Sequence, residues 1–171
     1  KAALKAILIL FVISLIWGRV FPLPSTLIIG DLITGSIPSW RWVSLQSISP
    51  SLSKAVIASE DQRFCTHWGV DFIELQSVLS DRGGPSRGAS TISMQVAKNL
   101  YLWPGRSYIR KALELPLALL IDLLWGKKRM MEIYLNIAEW GRGIFGAEAA
   151  AQFYFKKPAS ELTNDEAARL A

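Results

Sequence analysis

From Leu52 onward the chain is dominated by patterns typical of helices, and this feature constrains its fold more than any other. We predict one helix capped by Ser90 or Thr91 that reaches Asn99, and a last helix opened by a capping box at residues 163–166. The other predicted helices cover residues 52–67, 71–79, 108–125, 127–137 and 146–155. The predicted fold class is therefore all-α, in the sense of mainly α-helical.

Glycine and proline separate these helices. Gly69 is placed to end the first helix, and Gly126 fits a stop before the helix resumes. Pro116 removes a backbone donor, so it should kink or interrupt its helix just after Glu114. Residues 81–88 combine glycines with a proline and predict a flexible loop.

The N-terminus contains an uncharged run, AILILFVISLIW, over residues 6–17. A membrane-spanning helix needs about 20 apolar residues, so the run is short. We predict a transmembrane signal-anchor helix over residues 1–20, because the chain starts with Lys rather than Met and part of the segment can lie upstream. The flanking Lys1 and Lys5 favour a cytoplasmic N-terminus and an exported body. A cleaved signal peptide and a buried core helix are the alternatives, although no small-residue cleavage site follows Trp17.

The next segment, residues 21–48, is rich in proline, glycine, serine and threonine and predicts a linker. A short strand is expected at residues 26–29 or 42–45. Residues 49–171 then form the predicted globular domain. It is expected to be incomplete at its C-terminus, because the last helix is cut off at Ala171.

Composition narrows the classes of function. Hydrophobic residues make up 51% of the chain and charged residues 19%, with seven Trp, which suggests contact with a membrane. The net charge of +5 suits anionic lipid or a phosphorylated substrate. Nucleic acid is a weak candidate, because no helix-turn-helix or zinc-finger pattern is present. One Cys and one His exclude an internal disulfide and a multi-histidine metal site, although carboxylates leave room for a divalent cation.

Glu60 is the most informative single residue. At a helical repeat, Glu60, Phe64 and His67 share one face with Val56 a turn earlier. A carboxylate on an apolar stripe is costly to keep ionised, which suits an acid or base working near neutral pH. The simpler alternative is a helix-end ion pair between Glu60 and Arg63.

A second cluster follows the predicted loop. Helical spacing puts Thr91, Gln95 and Lys98 on one face, behind a glycine-rich approach that exposes backbone N–H groups. Such a helix start attracts phosphate, and Lys98 adds a positive charge two turns further on. The alternative is an ordinary capped helix with a polar solvent face.

A third cluster begins at Arg106. Arg110 and Glu114 are four residues apart and suit a simple helical ion pair. Alternatively, Glu114 is a second carboxylate opposite Glu60, with Arg106 beside a leaving phosphate, since glycosyl chemistry uses two carboxylates in different environments.

A fourth segment, residues 127–139, is predicted to be mostly packing, with the basic residues 127–129 on a solvated face. Asn136 and Glu139 are candidates for a cleft wall. Residues 115–125, whose only charge is Asp122, are expected to pack in the core or to face lipid.

Four motifs occur in order along the chain: Glu-Asp-x-x-Phe-x-x-His-x-Gly from Glu60, Gly-x-Ser-Thr-Ile-x-x-Gln from Gly88, Arg-Lys-x-x-Glu from Arg110, and Lys-x-x-x-x-x-x-Tyr-Leu-Asn from Lys127. Together they resemble the motif set of the peptidoglycan glycosyltransferases. The resemblance covers roughly residues 49–171 and is closest to the monofunctional type, because no penicillin-binding transpeptidase module follows.

The resemblance implies an α-helical, lysozyme-like domain that polymerises lipid II at the outer face of the bacterial cytoplasmic membrane. It implies that Glu60 is the general base that activates the acceptor 4-hydroxyl, and that Glu114 is the second carboxylate. The implied substrates are lipid II and the lipid-linked glycan chain, with release of undecaprenyl pyrophosphate, and other cell-wall synthesis proteins are possible partners. No cofactor is implied with certainty. The implied substrate-binding residues are Asp61, Phe64, His67, Ser90, Thr91, Gln95, Lys98, Arg106, Arg110 and Lys111.

Two departures from the family pattern stand out. Met94 replaces the first of two glutamines common in the second motif, and Lys156 occupies a position where the family often has glycine. Two other classes remain open from the sequence. One is a lysozyme-like lytic enzyme, which would not need Lys98 and Arg106 for pyrophosphate. The other is an inactive membrane-anchored scaffold, which would not need both glutamates.

Overall fold

The computed structural model describes residues 2–80, 88–105 and 107–171, and it confirms the mainly α-helical class. The two 3₁₀ turns are Leu45–Ser47 and Ala159–Glu161. The helices are α1 Ala2–Gly18, α2 Thr26–Ile33, α3 Pro50–Glu60, α4 Phe72–Ser80, α5 Ile92–Tyr101, α6 Tyr108–Ile137, α7 Ala147–Phe155 and α8 Asn164–Leu170. The loop predicted at residues 81–88 falls almost wholly outside the described residues, as does Arg106.

A small three-stranded sheet joins the N-terminal segment to the C-terminal helices. Its strands are β1 Ser39–Trp40, β2 Glu139–Gly141 and β3 Ile144–Phe145, in the order β1-β3-β2. β1 pairs parallel with β3, and β2 pairs antiparallel with β3 around an irregularity between Glu139 and Gly141.

The core forms where α5 packs along α6, the most extensive helix pairing in the described chain. Both helices contribute buried apolar side chains to one core cluster. The buried side chains that the two helices contribute to this cluster include Ile92, Met94, Val96, Ile121, Met130 and Ile133.

Gly126 interrupts α6, whereas Pro116 does not. Gly126 takes the non-helical angles φ 71° and ψ 166°, so α6 consists of two helical segments that meet at a kink there. The predicted stop at Gly126 is confirmed. The predicted interruption at Pro116 is wrong, because the backbone keeps helical angles there. Proline removes only one N–H donor, and the packing of α6 along α5 stabilises the helix despite that loss.

The first predicted catalytic helix is shorter than expected. α3 ends at Glu60 rather than at residue 67, because Asp61 leaves the helical region with φ −160° and ψ 73°. Its buried side chain bonds the His67 ring and the Ile92 backbone, so the chain turns away instead of continuing the helix. Phe64 and His67 therefore do not share a helical face with Glu60, and that part of the sequence prediction is wrong.

Residues 26–33 are also helical, so the strand predicted at 26–29 is wrong, as is the alternative at 42–45. Ser25 caps α2 by accepting a hydrogen bond from the Ile28 N–H. Thr26 donates its hydroxyl to the backbone oxygens of Asn99 and Leu102. The segment between α1 and α3 is thereby fixed against α5.

α1 leans against the second half of α6. The Trp125 ring N–H donates to the Leu15 carbonyl at 2.8 Å, and Arg129 donates to the carbonyls of Gly18 and Phe21. Leu15 is buried in this contact, whereas most of the other large side chains of α1 are exposed. Among the described residues, none of the helices combines the length and the apolar character that crossing a membrane would need.

Gly69 lies at the tightest backbone approach behind the site. It has φ +64°, and a Cβ placed there would lie 2.5 Å from the Ala118 carbonyl oxygen on α6. Its N–H also donates to the Asp122 carboxylate at 2.9 Å. The prediction that Gly69 ends a helix is therefore wrong. Its lack of a side chain instead lets the chain contact the backbone of α6.

We expect Gly69→Ala to lower the free energy of unfolding by about 2–4 kcal/mol, since it adds a left-handed backbone penalty to a steric overlap. Gly143→Ala is the matched control, because Gly143 has φ +73° but nothing within 4 Å of an added Cβ. Urea unfolding of both variants measures the difference. Equal losses in the two would show that the contact with α6 is not tight.

Candidate active site

Glu60 is the last residue of α3, and its side chain is exposed. Its Oε2 accepts a hydrogen bond of 2.7 Å from Gln95 Nε2 on α5. The expected burial on an apolar stripe is therefore wrong, as is the alternative pairing with Arg63, which instead bonds Asp71. The carboxylate is oriented by a neutral amide and remains open to an incoming group.

Asp61 joins the turn after α3 to the start of α5. Its Oδ1 lies 2.8 Å from His67 Nε2, and its Oδ2 accepts the Ile92 backbone N–H at 3.0 Å. Asp61 and His67 are both buried, and Phe64 beside them is only 2% exposed. These three motif residues lie behind the site and hold it in place.

Thr91 and Ser90 open α5 in different ways. Thr91 is buried, caps the helix by accepting the Met94 N–H at 3.1 Å, and donates to the Gly69 carbonyl. Ser90 is half-exposed, and its Oγ accepts a hydrogen bond of 2.7 Å from Lys111 Nζ on α6. The start of α5 is thus bonded to the cationic end of α6.

Glu114 is buried, at 2% exposure, and is neutralised by two cations of its own helix. Arg110 bonds one carboxylate oxygen, and Lys111 Nζ lies 3.0 Å from the other. The helical pair that the spacing predicts is therefore formed. Because Arg110 and Lys111 together carry one charge more than Glu114 balances, this end of α6 stays net positive.

The ammonium group of Lys98 is close enough to both Glu60 and Glu114 for their charges to affect its pKa. Burial lowers the pKa of Lys98, and the nearby charges of Arg110 and Lys111 lower it further, whereas Glu114 and Glu60 oppose the shift. Within the described part of the chain, its ammonium makes no hydrogen bond or ion pair. Lys98 and Arg110 line a cavity of about 150 Å³, next to Gly105. Arg106, the other predicted phosphate-binding cation, lies outside the described residues.

Glu60 borders two cavities. One, of about 50 Å³, lies against Asp61, Arg63 and the segment 88–91. The other, of about 200 Å³, lies against Tyr134, Glu139 and Trp140. Glu60 is the one described residue that lines both of these cavities, so a group bound in either lies next to Glu60.

Asp122 is a buried carboxylate whose role the sequence did not suggest. It accepts the Gly69 N–H and the Ser93 hydroxyl, and Lys127 Nζ lies 3.0 Å away. Lys127 also lies over the Phe64 ring, so it is not on a solvated face as predicted. The sequence does carry one signal for this role: Asp122 is the only charged residue of an apolar helical segment. A charge buried there needs a partner elsewhere in the chain.

Asn136 is not part of a cleft wall. It is fully buried, and its side chain bonds both backbone groups of Val43, while its carbonyl accepts the Trp40 ring N–H. Asn136 therefore fixes the segment before α3 to the end of α6. Glu139 is exposed and does line the larger cavity at Glu60.

No group of three or more acidic, histidine or cysteine side chains that could hold a metal ion occurs within residues 2–80, 88–105 and 107–171.

Comparison with known proteins matches residues 30–171 to the family model described as Transglycosylase. A biosynthetic peptidoglycan transglycosylase of Agrobacterium fabrum is 52% identical over 178 residues, which cover 100% of this chain and 79% of that protein. The protein of the same name in Pasteurella multocida is 52% identical, covering 96% of this chain and 71% of its own length. That of Marinomonas is also 52% identical, covering 96% and 73%.

The described motifs lie within the matched residues, and the similarity to these relatives extends over nearly the whole chain. The chain therefore belongs to the transglycosylase family, as a biosynthetic peptidoglycan transglycosylase, a peptidoglycan glycosyltransferase that polymerises glycan strands.

Proposed function

We propose that this chain transfers a lipid-linked glycan to lipid II, with Glu60 as the general base. The supporting observation is the position of Glu60, an accessible carboxylate at the border of two cavities and in electrostatic range of Lys98. A transferase must bring two sugars to one base, and this carboxylate is open to both sides. Lipid II as the substrate accords with the name of the relatives.

In the proposed step, the acceptor 4-hydroxyl gives its proton to a Glu60 carboxylate oxygen. The hydroxyl oxygen forms a bond to the anomeric carbon of the donor. The bond from that carbon to the phosphate oxygen breaks, its electron pair leaves with undecaprenyl pyrophosphate, and the anomeric centre is inverted. The hydrogen bond from Gln95 holds the base in one orientation during the transfer.

Lys98, Arg110 and Lys111 are proposed to stabilise the departing pyrophosphate. Negative charge develops there as the bond breaks, and fixed cations in a partly desolvated site stabilise such charge strongly. Glu114 orients Arg110 and Lys111 through its two ion pairs, which makes it a positioning carboxylate. The motif resemblance implies that Arg106 binds the same leaving group, and Ser90 is proposed to help to orient Lys111, from whose Nζ it accepts a hydrogen bond.

Asp61, His67, Phe64 and Thr91 are proposed to position the site rather than to contact substrate. All four are buried, and their hydrogen bonds and packing join the turn after α3 to the start of α5. That turn carries Glu60, and α5 carries Gln95 and Lys98.

The proposed location is the outer face of the bacterial cytoplasmic membrane. The exposed apolar side chains of α1 and the exposed leucines of α6 offer a surface for the lipid part of the substrate. The net charge of +5 accords with anionic lipid. The exposed α6 leucines are Leu113, Leu119, Leu120, Leu123 and Leu124.

The anchor over residues 1–20 and the domain limit at residue 49 stay predictions.

Glu60→Gln should reduce polymerisation of labelled lipid II in detergent by about 10²–10⁴-fold, because the amide keeps the shape of the side chain but takes up no proton. Glu161→Gln is the matched control, since Glu161 is an exposed carboxylate on the 3₁₀ turn before α8. Polymer is measured by gel electrophoresis after equal incubation. Turnover of Glu60→Gln equal to that of the control would remove Glu60 as the base.

Affinity for undecaprenyl pyrophosphate should fall as pH rises through the lowered pKa of Lys98, because only the protonated amine attracts the anion. Lys98→Arg should retain affinity to higher pH, since the guanidinium stays charged. Lys98→Ala should weaken binding by about 10–100-fold at neutral pH. Titrations of detergent-solubilised ligand against the three proteins provide the comparison. If affinity falls with rising pH in the same way for the wild type and Lys98→Arg, Lys98 is not the group whose deprotonation weakens binding.

A further inference from the structure

Two ionic side chains behind the site, Asp122 and Lys127, have no role in the proposed chemistry. Lys127 Nζ lies 3.0 Å from Asp122 Oδ1, and the Asp122 side chain is 1% exposed. The ammonium nitrogen is itself buried and makes no hydrogen bond within the described chain. A buried ion pair is often no more stabilising than apolar side chains of the same volume, so stability alone explains this pair poorly.

The two residues can meet because α6 is interrupted between them. In a continuous α-helix, residues five apart lie about 140° apart around the axis and point to different faces. Gly126 separates the two with φ 71° and ψ 166°, a backbone region that is essentially restricted to glycine. A Cβ added at Gly126 would meet nothing within 4 Å, so the backbone angles rather than the space require glycine. The break in α6 therefore turns Lys127 back toward Asp122.

Both members of the pair contact the turn 61–69, which directly follows the proposed base. The Lys127 ammonium lies 4.6 Å from the centroid of the Phe64 ring, which is a cation–π contact. Asp122 Oδ2 accepts the Gly69 N–H at 2.9 Å. The first contact fixes the middle of the turn, and the second fixes its end.

Asp122 also contacts α5, the helix that carries other residues of the site. Its Oδ1 accepts the Ser93 hydroxyl at 3.1 Å, in the first turn of that helix. Thr91, which caps the same helix, donates its hydroxyl to the Gly69 carbonyl. One buried carboxylate therefore joins the end of the turn 61–69 to the start of α5, at the height where the break in α6 places it.

We propose that the break at Gly126 and the Asp122–Lys127 pair form a positioning device, which sets where the turn 61–69 holds Glu60 relative to α5. The inference rests on the proposed role of Glu60 as the base. Asp122 and Lys127 act as positioning residues, because neither lines the two cavities at Glu60. A misplacement of about 1 Å can slow a reaction by about 100-fold, so a small shift of the turn should appear in kcat.

The test compares Lys127→Met, which removes the ammonium, with Lys128→Met, the matched control at the neighbouring exposed lysine. Turnover of lipid II is measured over a range of concentrations, at a temperature where thermal unfolding shows each variant to be folded. We expect Lys127→Met to lower kcat by about 10–100-fold with KM changed by less than about twofold. Lys128→Met should match the wild type in both.

A double variant, Asp122→Asn with Lys127→Met, separates positioning from stability. Lys127→Met alone leaves a buried carboxylate without its cation and should lower Tm, whereas removing both charges should restore much of that loss. The kcat of the double variant should stay low, because the contact with the Phe64 ring is still absent. A double variant that regains both Tm and kcat would overturn the proposal, since the pair would then act through stability alone.

Cys65 offers a direct readout of the turn, because it is the single cysteine of the chain and is exposed. The fluorine NMR signal of a trifluoromethyl label on Cys65 should shift or broaden in Lys127→Met and in Gly126→Ala, but not in Lys128→Met. Gly35→Ala is the backbone control, since Gly35 has φ +83° with nothing within 4 Å of an added Cβ. A label signal that both test variants leave unchanged would contradict the positioning role.

Failure of the proposed base would look different, because it would appear as full activity in Glu60→Gln whatever the label shows. If the double variant does not fold, Gly126→Ala decides, since it keeps every charge and changes only the break in α6. A wild-type kcat in Gly126→Ala would then overturn the proposal, and a kcat lowered about tenfold or more, with Gly35→Ala unaffected, would support it.

Discussion

The buried carboxylate of Asp61 is the contact on which the rest of the site depends. One oxygen bonds the His67 ring. The other accepts the N–H of Ile92, which is 31 residues further along the chain. The first contact ends α3 at Glu60, and the second fixes the start of α5, the helix that carries Gln95 and Lys98. A buried carboxylate without these partners would be costly, so the two helices are held in one relative position by the need to satisfy it.

Function and stability oppose each other on the cationic side of this arrangement. Lys98 is partly desolvated beside Arg110 and Lys111, and its lowered pKa means that protonation costs more in the folded chain than in the unfolded one. That penalty exists below the folded pKa and disappears above the unfolded pKa. In the proposed mechanism this charge stabilises the departing pyrophosphate, while the buried Glu114 limits the repulsion among the cations.

Much of the secondary structure could be predicted, because its signals are local. The capping box at Thr163, the cap at Thr91 and the stop at Gly126 each depend on a few neighbouring residues. The end of α3 could not, since it depends on a partner in α5, and the predicted apolar stripe beneath Glu60 failed for that reason. The site residues were predicted from the resemblance of their motifs to a family. The structure adds contacts between distant residues that motifs do not specify, such as the hydrogen bond from the Gly69 N–H to Asp122.

The proposed base and the proposed phosphate-binding cations lie in different parts of the site. Glu60 lines two cavities, and neither of them is lined by Lys98 or Arg110. Lys98 and Arg110 line a third cavity, whose charged lining suits the proposed pyrophosphate leaving group. Glu60 is still close enough to oppose the lowering of the pKa of Lys98. Within the described residues the Glu60 carboxylate therefore lies in electrostatic range of the cations without pairing with them, which leaves it available to take up a proton.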